Sequence, residues 1–158
     1  MEGLGAVLGA MGVFAVLIIA LVVVLYVLNG LGTSYVLKQM GFKYPWFAWI
    51  PILNFIALAL ACRDSEGNIT LFGIKIPGIV FSLWYILVLV VTRIPNVGSI
   101  LSIVVQVIFY GRTLQLVYSK MEGTDEKDNA ILGYVSGFIT IIPLIKFLMY
   151  RSAGKKNQ

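Results

Sequence analysis

Apolar and polar positions divide the chain into five apolar runs separated by short polar segments. The first run carries no charged residue between Leu4 and Leu28, and as a helix it would span roughly 37 Å, more than the ~30 Å hydrocarbon core of a bilayer. The pattern predicts an all-α membrane protein, a bundle of about five transmembrane helices. The predicted helices cover residues 4–37, 45–62, 76–92, 97–118 and 130–150.

Prolines interrupt these runs and leave the path of the second run open. Pro51 lies inside the second run and Pro143 lies in the middle of the fifth, where each removes a backbone donor and favours a kink. Pro77 stands near the start of the third run, where a first-turn proline is tolerated. Since the second run is short, residues 45–62 either cross the bilayer or re-enter it.

Composition supports a membrane environment. Of the 158 residues, 59% are hydrophobic and 12% are charged, whereas a soluble domain has roughly 45–50% apolar and ~25% charged residues. We therefore expect residues 1–158 to form a single transmembrane domain. Glu2 stands where a signal peptide would carry basic residues, so the first run is interpreted as a retained membrane helix.

The loop charges predict an orientation, because short cytoplasmic loops carry an excess of Lys and Arg. Five spans with the N-terminus outside place these residues inside: Lys38, Lys43, Arg93, Arg151, Lys155 and Lys156. The same arrangement places these outside: Arg63, Lys75, Lys120 and Lys127. The bias favours an outside N-terminus and an inside C-terminus. A re-entrant second run would instead put the basic C-terminal tail outside, which the rule disfavours.

The residue types available restrict the chemistry. The chain has no histidine and one cysteine, Cys62, so the usual zinc sites and the Ser-His-Asp and Cys-His catalytic systems are excluded. No carboxylate lies within an apolar run. We therefore expect no catalytic residue, no metal site, no cofactor and no enzymatic activity. The Lys and Arg residues are scattered singly, so we also expect no nucleic-acid partner.

A Gly-x-Lys-x-Pro pattern occurs twice, 32 residues apart, and each copy precedes an apolar run. The two copies consist of Gly41, Lys43 and Pro45, and of Gly73, Lys75 and Pro77. A flexible glycine, a headgroup-anchoring lysine and a helix-starting proline suit any membrane helix. The alternative is duplication of a helix-entry unit, as in inverted-repeat transporters.

The segment around the first copy resembles a known family. Gly-x-Lys-x-Pro-Trp at 41–46, followed by Trp49-Ile-Pro-Ile-Leu-Asn54, is similar to elements of a family of small prokaryotic polytopic membrane proteins of unknown function. The similarity covers residues 36–143, with Leu53 where the family often has Tyr and an enlarged polar loop at 63–68. The resemblance implies a multi-pass protein of the prokaryotic plasma membrane and assigns no activity.

Small residues at four-residue spacing are candidates for helix packing, because they let two backbones approach closely in a membrane. The packing is within one protomer or between protomers, and the sequence leaves both open. The candidate pairs are Gly5 and Gly9, Ala57 and Ala61, and Gly133 and Gly137.

Polar side chains within the runs should face protein or water, since unpaired donors are costly in lipid. They form interhelical hydrogen bonds or line a polar path. Gln106 and Gln115 lie about 180° apart on a helix, so they cannot share one face. Arg112 reaches the headgroups, pairs within the protein or binds an anion. The candidates are Asn54, Asn96, Gln106, Arg112 and Gln115.

These observations predict a non-catalytic polytopic membrane protein that self-associates or belongs to a larger membrane complex. The alternative is a small oligomeric channel or transporter. The expected partners are the lipid bilayer and either copies of the chain or other membrane subunits.

Overall fold

The prediction of a mostly helical chain is confirmed. The computed structural model describes residues 2–156, and side chains from residue 11 to residue 154. Seven α-helices, a 3-10 helix and a two-stranded hairpin are present in these residues. In chain order they are α1 (Glu2–Gln39), the 3-10 helix (Pro45–Trp49), α2 (Pro51–Ala61), β1 (Asn68–Leu71), β2 (Ile74–Pro77), α3 (Gly78–Ser82), α4 (Trp84–Val91), α5 (Gly98–Glu122), α6 (Ala130–Phe138) and α7 (Ile141–Lys156).

Helix α1 has two halves in different environments. Every residue from 11 to 27 is exposed, whereas Val36 and Leu37 are fully buried in the core. The helix ends where Gly41 adopts a left-handed backbone and the Phe42 amide donates to the Leu37 carbonyl, a glycine-dependent helix stop. The second half of α1 therefore packs into the core, whereas residues 11–27 stay exposed and contact the rest of the fold near Leu25 and Tyr26.

The second apolar run folds back along α1. The Tyr26 hydroxyl donates to the Trp49 carbonyl at the end of the 3-10 helix. The segment after Gln39 therefore runs antiparallel to α1, back to the level of Tyr26. Helix α2 then runs in the direction of α1, and its Ala61 carbonyl accepts a hydrogen bond of 3.1 Å from Lys120 near the end of α5. Residues 45–61 thus enter and leave at the same end of the molecule.

The polar loop before the third run contains a β hairpin that the sequence analysis did not predict. Strands β1 and β2 pair antiparallel, with Leu71 opposite Ile74. Phe72 and Gly73 both have positive φ, which is the geometry of a tight type I′ turn. Ile76 and Pro77 consequently belong to a strand, and the helical part of the third run begins at Gly78.

The third and fifth runs are each divided into two helices. Leu83 separates α3 from α4, and the Ser82 hydroxyl donates to the Ile79 carbonyl, 2.7 Å away, in the last turn of α3. The fifth run breaks at residues 139–140, since Ile139 is extended. Pro143 therefore lies in the first turn of α7, where its missing N–H is tolerated, and not in the middle of a kinked helix.

The C-terminal ends of α1, α5 and α7 lie together at one end of the molecule. A Cβ on Gly32 of α1 would lie 3.0 Å from the Phe147 Cβ of α7, and Phe147 packs edge-on against Tyr118 of α5. The Tyr150 hydroxyl donates to Glu122, the last residue of α5, at 2.6 Å. We call this end of the molecule the polar end. It consists of the C-terminal ends of these three helices, the hairpin and residues 123–129.

The polar end corrects the arrangement of charges predicted from five spans. That prediction separated four residues from the C-terminal tail: Arg63, Lys75, Lys120 and Lys127. In the structure Lys120 donates to the Arg63 carbonyl at 3.2 Å, and the hairpin and the 123–129 loop lie beside it. Arg93 stands in the turn before α5, roughly 36 Å away along that helix. Five full spans would separate these groups, so the structure does not support that arrangement.

Among the described residues, two helices are long and apolar enough to cross a membrane: Met11–Gln39 and Gly98–Glu122. About five were predicted. Helix α2 has 11 residues, about 16 Å of helix, which is too short to cross a ~30 Å hydrocarbon core. The breaks at Leu83 and Ile139 shorten the third and fifth runs in the same way. The apolar runs were identified correctly, but their continuity was not.

Helix α6 packs against α5 at glycine contacts, and the packing leads to a prediction for Gly133→Ala. A Cβ at Gly133 would lie 2.6 Å from the Gln115 Cβ, so the substitution should lower the stability by about 1–3 kcal/mol through overpacking. Ile131→Ala on the same helix is the matched control, because Ile131 is 82% exposed. Thermal unfolding in detergent should show a lower midpoint for Gly133→Ala only. Equal midpoints would contradict the close packing of α5 and α6.

Candidate functional site

A cavity of about 530 Å³ lies between α1, α2, α4, α5 and the start of α7. Its volume falls in the roughly 300–1,000 Å³ range of small-molecule sites. Aromatic and aliphatic side chains make up most of its wall, and a few amide and hydroxyl groups interrupt them. We call it the aromatic cavity, and the residues that define it include Asn54, Phe55, Trp84, Gln106, Tyr110 and Leu144.

Three aromatic rings from three helices form one wall. Trp84 of α4 stacks on Tyr110 of α5, with ring centroids 6.1 Å apart and planes at 23°. Phe55 of α2 meets both rings edge-on, at centroid distances of 5.8 and 5.1 Å. Such arrangements match the positive edge of one ring to the negative face of another. The wall is therefore held in place by packing and offers a flat apolar surface to the cavity.

Two buried polar atoms on the cavity wall have no hydrogen-bond partner among the described atoms. They are the Asn54 side-chain oxygen and the Trp84 indole N–H, on side chains whose residues are 5% and 6% exposed. Each such atom costs roughly 1–3 kcal/mol when left unpaired. Gln106, by contrast, donates from Nε2 to the Gly137 carbonyl at 3.2 Å. Both residues line the cavity, and each leaves one polar atom unpaired inside the packed wall.

The mouth of the cavity opens at an apolar surface. Leu25 of α1, Leu89 of α4 and Ile141 of α7 lie there, and all three are exposed. Asn29 and Thr140 add the polar groups of the rim. Among the described side chains that line the cavity none is charged. The site is therefore suited to an uncharged ligand that arrives from an apolar phase.

Arg112 lies away from the cavity, in a hydrogen-bonded network at the polar end. Its Nε donates to the Thr70 carbonyl of β1 at 2.8 Å, its Nη1 to Gln115 at 3.0 Å and its Nη2 to Glu126 at 2.7 Å. The Arg112 side chain is 11% exposed. Gln115 donates in turn to the Glu126 backbone carbonyl at 2.6 Å. All three guanidinium nitrogens therefore have protein acceptors, which favours the structural pair over an anion site.

A second, polar cleft of about 350 Å³ adjoins this network. Basic side chains of Arg63 and Lys120 face the carboxylates of Asp64 and Glu126 across it. Its charged groups come from the segment before β1, from α5 and from the loop after α5. Arg112 also lines the cleft, so three basic side chains stand against two carboxylates, and one positive charge is in excess.

The candidate packing residues have different surroundings. Gly133 and Gly137 lie against α5, where a Cβ on Gly137 would come 2.9 Å from Gly111 Cα. Ala57 is fully buried and Ala61 is partly buried. These residues pack within the protomer. The surroundings of Gly5 and Gly9 lie outside the described side chains.

The two Gly-x-Lys-x-Pro copies have different backbone structures. Gly41 ends α1, whereas Gly73 sits in the hairpin turn, although both have a left-handed φ. Pro45 begins the 3-10 helix and Pro77 is the residue before α3. Lys43 lies 5.3 Å from the Tyr44 ring. The copies therefore share a helix-starting proline and do not share a common supersecondary unit.

The remaining polar candidates lie at separate places. Asn54 and Gln106 meet at the aromatic cavity, while Gln115 belongs to the Arg112 network. This agrees with the opposite helix faces expected for the two glutamines. Asn96 lies in the exposed turn before α5 with φ +66°, a conformation that asparagine tolerates better than most residues. Asn96 therefore serves the turn and does not face another helix.

Sequence reasoning missed the aromatic wall and a second polar cluster. Trp84 lies inside an apolar run, away from the run ends where interfacial aromatics are expected, and this position was the available signal. The second cluster joins Glu122 to Lys146, whose Nζ also lies 5.1 Å from the Tyr118 ring. It ties α7 to the end of α5. No sequence pattern links residues 24 positions apart in this way.

The Arg112 network predicts a large effect of Arg112→Gln. The change removes the donors to Thr70 and Glu126 in a nearly buried site, so stability should fall by about 1–3 kcal/mol. Lys75→Gln is the matched control, because the Lys75–Glu66 pair is about 60% exposed on both sides and such pairs contribute roughly 0–1 kcal/mol. Thermal unfolding in detergent measures both. A control that unfolds as early as Arg112→Gln would argue against a special role for the network.

Known proteins supply no relative from which the site could be interpreted. No family model, no curated protein and no solved structure matches the chain. The resemblance to the family of small prokaryotic polytopic membrane proteins stays a prediction. The features that bear on function are therefore the exposed helix, the polar end and the aromatic cavity.

Proposed function

We propose that the protein is a non-catalytic, multi-pass protein of the prokaryotic plasma membrane that associates with further copies of itself through α1. The observation that carries the proposal is the exposed first half of α1. Residues 11–27 are apolar or small, apart from Tyr26, and all of them are exposed. These 17 residues extend roughly 26 Å as a helix, close to the thickness of a hydrocarbon core.

An aqueous environment does not suit this surface. Exposed apolar side chains continue from α1 onto α4, the first turns of α5 and the start of α7. Soluble monomers rarely expose contiguous apolar patches larger than a few hundred Å². Lipid tails solvate such a surface, and the helical backbone satisfies its own hydrogen bonds there. A bilayer around these segments is the environment that their composition supports.

The contacts support an N-terminus outside and a polar end inside. Helices α1 and α5 run in the same direction and both finish at the polar end, and α3 and α4 carry the chain back between them. Two further segments start at the polar end and return to it. They are residues 45–61, and α6 together with α7. This arrangement places Arg93 opposite the other basic side chains described in the structure, a stronger positive-inside bias than five full spans give.

Self-association is supported by small residues on the free part of α1. Gly5, Gly9 and Gly12 follow one another at helical spacings of four and three residues, so they share a face. A Cβ on Gly12 would meet no described atom within 4 Å. Helices in lipid associate through close backbone contact at such faces. At Gly12, the part of this face that the structure describes, the protomer leaves room for a second α1.

The association proposal predicts that Gly5→Leu plus Gly9→Leu shifts the protein towards the monomer, because the added side chains keep two helices apart. The measurement is the mass of the full chain in lipid nanodiscs or mild detergent by native mass spectrometry. Val22→Leu plus Val23→Leu is the control, since it adds bulk on the same exposed helix without filling a glycine face. An unchanged oligomer in the glycine variant would exclude this face. A wild-type monomer that retains one defined partner subunit would instead favour a hetero-complex.

The orientation predicts how single cysteines react with a membrane-impermeant maleimide. Cys62→Ala first removes the only native thiol. Arg93→Cys should then react in intact cells, whereas Lys75→Cys and Lys127→Cys should react only after permeabilisation. Five full spans predict the reverse for all three positions. The comparison therefore separates the two topologies, and labelling of Lys75→Cys from outside would overturn the one proposed.

The alternative function, an oligomeric channel or transporter, is favoured by one observation. Asn29, Asn54 and Gln106 bring polar groups to a cavity within the apolar half of the protein. Ion flux through proteoliposomes tests it. Proteoliposomes that retain their ions fit the association proposal. An ion leak that Asn54→Leu abolishes would support a conducting path.

A further inference from the structure

We infer that the turn of the β hairpin inserts into the inner leaflet, at the boundary between headgroups and acyl chains, with Phe72 and Ile74 in contact with lipid. The inference rests on the proposed placement in a membrane and does not depend on self-association. Three features carry it: the exposed apolar side chains, the position of the hairpin beside α5 and the residue type in the turn.

The hairpin turn and the helix after it expose large apolar side chains. Phe72 is 72% exposed and Ile74 is 66% exposed, and Ile79 and Val80 of α3 are exposed as well. Alternate residues of β1 are buried in the core, so these four are additional to the side chains that hold the hairpin in place. Grouped apolar side chains on a surface mark an interaction site.

The hairpin lies beside α5 and not beyond its end. The Thr70 carbonyl accepts from Arg112, and the same guanidinium donates to Gln115. From Gln115 the helix continues to Glu122, roughly 10 Å further along its axis. Phe72 follows Thr70 by two residues, at most about 7 Å of extended chain. The turn therefore lies level with the last turns of α5.

This level favours lipid as the partner. Helix α5 is one of the two helices long and apolar enough to cross a membrane. Its 25 residues extend roughly 37 Å, more than a ~30 Å hydrocarbon core. The last turns of α5 therefore stand where acyl chains give way to headgroups, and an exposed side chain beside them meets that boundary.

The charge on the hairpin suits the same boundary. Between residues 68 and 77 the one charged side chain is Lys75, whose ammonium pairs with Glu66 at 2.7 Å while both side chains stay exposed. A lysine can lay its apolar stem along acyl chains and keep its ammonium among the headgroups. Apolar side chains beside a snorkelling lysine are typical of interfacial segments.

The residue type in the turn is unfavourable in water. Phe72 has φ +49° and Gly73 has φ +82°, and a turn of this kind prefers asparagine or aspartate at its first position. A bulky side chain in the left-handed region is an outlier, and here the ring is also exposed. Contact of the ring with acyl chains offsets both costs, which contact with water does not.

Collision rates of a spin label test the inference in the full chain, reconstituted in vesicles of phosphatidylcholine and phosphatidylglycerol. In a Cys62→Ala background, a nitroxide at Phe72→Cys should collide more often with oxygen, which concentrates in lipid, than with a water-soluble nickel chelate. Lys127→Cys is the matched control, because Lys127 is an exposed residue of the loop after α5. The nickel chelate should dominate there. Ile74→Cys repeats the measurement if the first variant fails to fold.

A label at Phe14→Cys separates failure of this inference from failure of the membrane placement. Phe14 is exposed on the free half of α1, about 200° around the helix from Gly12. Oxygen dominating at 14 while the nickel chelate dominates at 72 would overturn the inference alone. The nickel chelate dominating at both positions would overturn the membrane placement too. Exclusion of both reagents from 72 would mean that protein covers the turn, which also overturns lipid contact.

Discussion

The guanidinium group of Arg112 joins α5 to β1 and to the loop that follows α5. It holds β1 through Thr70, α5 through Gln115 and the loop after α5 through Glu126. The guanidinium is a planar group whose donors point in fixed directions, so three acceptors hold it in one orientation, whereas a lysine ammonium is a compact charge on a flexible stem. Because this group fixes the hairpin beside α5, it also fixes where α2 ends and where α3 begins. The directions of the helices around the aromatic cavity depend on that placement.

The sequence predicts the apolar segments well and their three-dimensional path poorly. Hydropathy reflects the solvent that a segment meets, so the runs around α1 and α5 were recognisable. Helix direction depends instead on contacts such as Tyr26 with Trp49, which join residues 23 positions apart. The hairpin was missed for a local reason. Its turn is Phe72-Gly73, in place of the Asn-Gly or Asp-Gly sequences that mark such turns.

The site could be predicted in part. Asn54 and Gln106 were identified because an amide in an apolar run needs a partner, and both lie at the cavity. Trp84, Phe55 and Tyr110 were not identified, since aromatic residues are equally common in cores and at membrane interfaces. What makes them a site is their mutual position on three helices. That position follows from the packing of α2, α4 and α5, which no local pattern encodes.

The shared direction of α1, α5 and α7 has an electrostatic consequence. The carbonyl ends of the three helices meet at the polar end, where each contributes a partial negative charge. Parallel helix dipoles repel one another, and nearby cations relieve that repulsion. Lys38 and Lys120 stand in the last turns of α1 and α5. The basic residues there therefore help the three helices to lie side by side.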